Sequence, residues 1–88
     1  MREIIQSGAF GRDLRKLVKR GKDLSKLYAI VECLAKGEVL AAKYRPHPLK
    51  GDWQPKWDCH IEPDWLLIYE VTEEAVKLAR TGTHSDLF

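Results

Sequence analysis

The sequence has little of what would mark several common protein classes. Cysteine occurs only twice, at Cys33 and Cys59, too few for a disulfide scaffold; with no secretory h-region after Met1-Arg-Glu-Ile-Ile, reduced thiols and a cytoplasmic chain are expected. No apolar run is long enough to span a bilayer, which leaves membranes out of the expected partners. There is no C-x-x-C or H-x-x-x-H spacing, and Cys59 and His60, adjacent on a strand, would face opposite ways. A zinc site is therefore not expected, and no cofactor is. Repeats, linkers and low-complexity tracts are missing, so residues 1–88 read as one small domain with a modest core.

What the chain does have is unevenly placed charge. Residues 1–22 carry seven Lys or Arg against Glu3 and Asp13, a balance of +5, whereas residues 23–88 carry eight against eleven, a balance of −3. A basic N-terminal third suits a polyanion, although a solvated helix face has the same composition.

Hydrophobic spacing predicts the elements. Ile4 and Ile5 mark a first strand within residues 1–5. Ser7 caps a helix whose apolar stripe is Phe10, Leu14, Leu17 and Val18, with Arg12, Arg15, Lys16, Lys19 and Arg20 on the remainder and Gly21 at its end. Asp23 caps a second helix with a stripe of Leu24, Leu27, Tyr28, Val31 and Leu34, ended by Gly37; the short link predicts an antiparallel helical hairpin. Residues 38–51 look irregular, with Pro46 and Pro48 stiffening the backbone around His47. Trp57, Cys59 and Ile61 then alternate with Asp58 and His60 as a strand, Glu62-Pro63-Asp64 turns, and the apolar run Trp65 to Val71 reads as a central strand covered on both faces. A last strand spans 75–81, and Ser85 to Phe88 shows no evident secondary structure. The predicted fold is α+β, in the order β-α-α-β-β-β: a small, mainly antiparallel sheet with both helices on one face and the other face partly open.

The side chains able to do chemistry gather in the second half. Metal-free cleavage of RNA needs a base near the ribose 2′-hydroxyl, an acid for the departing 5′-oxygen and a cation for the phosphate. Histidine suits the first two because its pKa lies near neutrality; His47, His60 and His84 are the three available. Arg80 offers the cation, and Phe88 or Trp65 a surface on which an unpaired base could stack.

Three blocks in order make this set more specific: His47-Pro-Leu-Lys-Gly51, Asp58-Cys-His-Ile-Glu-Pro-Asp-Trp65 running into Leu-Leu-Ile-Tyr69, and Arg80-Thr-Gly-Thr-His84 with terminal Leu87-Phe88. Together they resemble the YafQ branch of the RelE/ParE toxin superfamily, strongly from Tyr44 onward and weakly in the helices. The resemblance implies a RelE-like fold and a type II toxin that acts as a ribosome-dependent mRNA endoribonuclease. It implies His47, His60, Asp64 and His84 as catalytic residues. Arg80, Lys50, Trp65 and Phe88 would contact substrate, and Arg12, Arg15, Lys16 and Lys19 the ribosome. A cognate antitoxin would hold the toxin in a hetero-oligomeric complex. The alternative is a non-catalytic RNA- or ribosome-binding protein on the same scaffold. Two positions depart from the family pattern: Pro46 where relatives often carry an acid, and Trp57 where they tend to carry a base, a phosphate contact that Lys56 could take over.

Overall fold

Two capping side chains set where the long helices begin. The Ser7 hydroxyl accepts the Phe10 N–H at 3.0 Å and opens α1 (Gly8–Lys19); the Asp23 carboxylate accepts the Ser25 N–H at 3.0 Å and opens α2 (Leu24–Ala35). Gly21 (φ 80°) and Gly37 (φ 76°) follow them in left-handed conformations that let the chain leave the helix. The computed structural model describes residues 1–88. Its other elements are β1 (Glu3–Gln6), β2 (His47–Pro48), β3 (Trp57–Glu62), β4 (Trp65–Val71), β5 (Ala75–Gly82) and α3 (His84–Leu87).

All five strands form one sheet in the order β1-β5-β4-β3-β2. β1 runs parallel to β5, and the remaining pairs are antiparallel. The predicted hairpin is therefore the middle of the sheet, and β4 is its central strand. Both long helices rest on one face, α1 along β5 and α2 across β1, β5 and β3. On that face Phe10, Leu17, Leu27, Ile30, Val31 and Leu34 meet Cys59, Trp65, Leu67, Tyr69, Val76 and Leu78 in the main core. On the other face Leu66 and Ile68 are covered by Leu87, with Leu49, Trp53 and Ala79 packed beside them. An apolar strand buried on both sides is the outcome its composition required. No helix is long and apolar enough to cross a membrane.

Several expectations need correction. Val18 and Tyr28, assigned to the apolar stripes, are 58% and 49% exposed. Each follows a fully buried leucine, and one residue turns a helix by about 100°, enough to carry it past the arc the sheet covers. The irregular stretch and the residues directly after it form two 3₁₀ turns, Ala42–Tyr44 and Gly51–Trp53, on either side of β2. The end of the chain is also ordered. The Thr83 hydroxyl accepts the Asp86 N–H while Asp86 accepts the Thr83 N–H, a reciprocal cap that starts α3.

Asp13 lies in the buried arc of the basic helix and has a structural use. β1 stops pairing with β5 at Leu78, so the backbone beyond has no strand on that edge. Asp13 takes over there, accepting the Thr81 N–H at 3.0 Å and the Arg80 guanidinium through Nε at 2.7 Å and Nη2 at 3.2 Å.

Candidate active site

The face of the sheet away from α1 and α2 gathers the candidate histidines, because strand pairing puts opposed residues on one side. His47 is paired with Asp58 across β2 and β3, Asp58 with Ile68, and His60 with Leu66 across β3 and β4. His84 reaches the same region from α3, its ring centroid 5.7 Å from that of His60 and tilted 51° to it. Asp64, in the turn between β3 and β4, binds His84 twice: Oδ1 accepts the His84 ring Nδ1–H at 2.6 Å and its backbone N–H at 2.9 Å. These two donors, the backbone one first, hold the Asp64 carboxyl below the usual carboxylate range. With Nδ1–H committed, His84 Nε2 is left to exchange a proton with a ligand. The His84 and Asp64 side chains are 54% and 66% exposed, so a large substrate can reach both.

Asp58 belongs to this group and was not among the residues singled out from sequence. It is buried, and burial pushes its carboxyl pKa up against the opposing fields of His47, His60 and His84. The His47 ring N–H is aimed at the Arg45 carbonyl, 3.1 Å from Nδ1. Asp58 Oδ1 lies 3.0 Å from the same nitrogen yet has no hydrogen bond. The alternation of β3, which places Asp58 and His60 on one face, was the available signal.

The aromatic candidates separate. Trp65 is 1% exposed in the main core, and its Nε1–H donates to Thr81 Oγ1 at 2.9 Å. It holds the hairpin against β5 and cannot stack on a base. Phe88 is 61% exposed and meets Trp53 edge-to-face at 5.6 Å; Leu87 beside it is buried. Trp53 was a second omission, because nothing local in the loop shows that it folds back over the sheet. Arg80 is half-buried on Asp13, which raises its already high pKa, and its Nη1 has no protein partner. Lys50 is exposed ahead of the second 3₁₀ turn, and Arg12, Arg15, Lys16 and Lys19 are exposed along α1.

Comparison with known proteins shows the family of the chain. Residues 2–88 match the family described as the bacterial toxin of a type II toxin–antitoxin system, YafQ. The chain belongs to the YafQ toxin family. It is 42% identical to the mRNA interferase toxin YafQ of Escherichia coli K12 over 88 residues, covering 99% of this chain and 96% of that one. It superimposes on the E. coli DinJ–YafQ complex with a TM-score of 0.92 at 42% identity, over 100% of this chain and 99% of that one. A metal-bound toxin from Helicobacter pylori gives 0.93 at 46% identity over 100% of both chains.

The metal in that relative prompts a test of the side chains here. The YafQ-like face holds no group of three or more His, Cys, Asp or Glu placed to bind an ion, and Cys59 packs in the main core on the opposite face. As arranged, the residues do not fit a metal centre. The two departures from the YafQ pattern lie at the margin: Pro46 is half-buried and Trp57 is 41% exposed at the start of β3.

Proposed function

We propose that the chain is an endoribonuclease toxin that stops translation by cutting mRNA in the ribosomal A site. The observation that carries this reading is the Asp64–His84 pair, with ring Nε2 free beside His60. A carboxylate that fixes the tautomer and direction of an exposed imidazole is the arrangement proton transfer requires. The 2′-hydroxyl gives its proton to one histidine as the 2′-oxygen bonds to phosphorus. The bond from phosphorus to the 5′-oxygen breaks, and that oxygen takes a proton from a second histidine. The products are a 2′,3′-cyclic phosphate and a 5′-hydroxyl. His47, His60 and His84 supply the acid and base without a metal ion. The exposed Phe88 stacks on the substrate base, while Lys50 and the unengaged Nη1 of Arg80 face phosphate.

Arg12, Arg15, Lys16 and Lys19 anchor the toxin on ribosomal RNA, an electrostatic attachment weakened by salt. Ribosomes place this work in the cytoplasm. The E. coli relative is solved as a complex with DinJ, and by analogy a cognate antitoxin restrains this chain in a hetero-oligomer. The test is to map mRNA ends in a ribosome-programmed reaction with and without the protein. New ends inside the A-site codon, formed only when ribosomes are present, are expected. No new ends, or equal cutting of free mRNA, would refute the proposal.

A further inference from the structure

β2 pairs only with Trp57 and Asp58, so the outer edge of β3 beyond Asp58 has no neighbouring strand. The chain leading into β2 diverges there, and a groove of about 660 Å³ opens between α2, the 3₁₀ turn at Ala42–Tyr44 and β3. Its wall includes Lys26, Lys43, Tyr44, Arg45, His60 and Glu62. A groove of this size lies within the range of small-ligand sites and can take a nucleotide.

Its electrostatics select the ligand. The Glu62 carboxylate is occupied by Lys22 at 2.7 Å and Lys26 at 2.8 Å, so the acid in the wall is neutralised. Lys43 and Arg45 have no carboxylate partner; the Lys43 ammonium lies over the Tyr44 ring, 5.1 Å from its centroid. Arg45 is exposed on a left-handed backbone at φ 49°, which non-glycine residues seldom adopt. Lys43 covers the ring of Tyr44, which itself packs against the main core, and the two cations without carboxylate partners form a site for a phosphate. His60 belongs both to this groove and to the histidine cluster, so a strand crossing the cluster can continue into it.

We infer that the groove binds a nucleotide of the mRNA flanking the scissile bond, with its phosphate on Lys43 and Arg45 and its base along the wall beside Tyr44. This rests on the endonuclease reading above and adds a subsite to it. An acidic segment of a protein partner would suit the same cations, but continuity with His60 favours the RNA.

Two measurements separate the subsite from the activity. In the first, ribosomes carry mRNA with a 2′-deoxy nucleotide at the cleaved position and 4-thiouridine at each flanking position in turn. Irradiation with the wild-type protein should cross-link RNA to the peptide containing Tyr44. Cross-links confined to Trp53 or Phe88 would overturn the subsite. In the second, unmodified mRNA is cleaved by wild type, Lys43→Gln and Lys43→Gln/Arg45→Gln. Each lost contact should raise the protein concentration for half-maximal cleavage roughly tenfold. It should also lower the salt slope of binding by about one. Unchanged concentration and salt dependence would refute the subsite while leaving the endonuclease intact. Cross-linking at Tyr44 by a wild-type protein that cuts nothing would do the reverse. Variants that cleave normally but lose affinity for the antitoxin would reassign the groove to a peptide.

Discussion

Leu87 and Phe88 are neighbours with opposite surroundings, and truncating each should separate packing from substrate contact. Phe88 is 61% exposed, so on the order of 80 Å² of the side chain is covered, given the area such rings bury. At ~25 cal/mol per Å² that sets an upper limit of about 2 kcal/mol. Alanine keeps part of the contact, so Phe88→Ala should cost roughly 1 kcal/mol and lower Tm by about 4–8 °C in a domain of this size. Leu87, 8% exposed over Leu66 and Ile68, should cost about 2–5 kcal/mol when cut to alanine, with a Tm fall upward of about 10 °C. Cleavage should respond differently. Losing ~1–3 kcal/mol of base stacking slows the reaction about 5- to 150-fold in Phe88→Ala even where the protein is fully folded. Thermal melts and ribosome-programmed cleavage at 25 °C measure both effects. A Phe88→Ala protein that melts as low as Leu87→Ala yet cleaves at the wild-type rate per folded molecule would make Phe88 a packing residue and refute the stacking role.

Other expectations are as direct. His84→Ala and Asp64→Asn should each lower cleavage on the order of 10²-fold or more with an unchanged circular dichroism spectrum, since both side chains are exposed and outside the core; full activity in both would remove them from the chemistry. Replacing Arg12, Arg15, Lys16 and Lys19 together by Gln should weaken ribosome association and flatten its salt dependence in sedimentation, whereas an unaltered slope would leave them as solubilising surface. The hydrogen bonds from Arg20 and then the Thr83 N–H hold the Asp86 carboxyl well below its ordinary range. A depressed folded pKa stabilises above the unfolded value near ~4, and that contribution is lost as pH falls through the folded value. Asp86→Asn should therefore shrink the loss of Tm below about pH 4, and parallel curves for variant and wild type would contradict it. An added Cβ at Gly82 would come within 2.8 Å of Asp86 Oδ2, so Gly82→Ala should displace α3 and slow cleavage more than it lowers Tm; an equally active variant would show that α3 need not be held closely.

The helices and the central hairpin were legible because their signals are local: capping oxygens at Ser7 and Asp23, glycines after each helix, and alternation along β3. What escaped depends on distant partners. The two-residue β2 has meaning only through its register with Asp58 and Trp57. Asp13 looked like one acid in a basic helix, and its burial follows from β1 ending before Arg80. Trp65 was offered as a stacking surface, yet His60 opposes Leu66, so its neighbour Trp65 must face the helices. The α3 turn had a local signal, Thr83 and Asp86 at capping-box spacing, but four residues leave no room for an apolar period. The candidate histidines were readable as residue types. That they surround a buried carboxylate at Asp58 was not, because burial is a property of the assembled sheet.

The central claim is that the histidine face drives attack by a ribose 2′-hydroxyl inside the ribosomal A site. Its most direct test uses ribosomes programmed with two mRNAs that differ only by a 2′-deoxy substitution at the cleaved A-site nucleotide. Magnesium keeps the ribosomes intact, and a chelator selective for transition metals removes those ions. The all-ribose message should be cut to a 2′,3′-cyclic phosphate and a 5′-hydroxyl at an undiminished rate in the chelator, and the deoxy message should stay whole. Cleavage of the deoxy message, or activity that vanishes with the chelator and returns with added metal, would contradict the account.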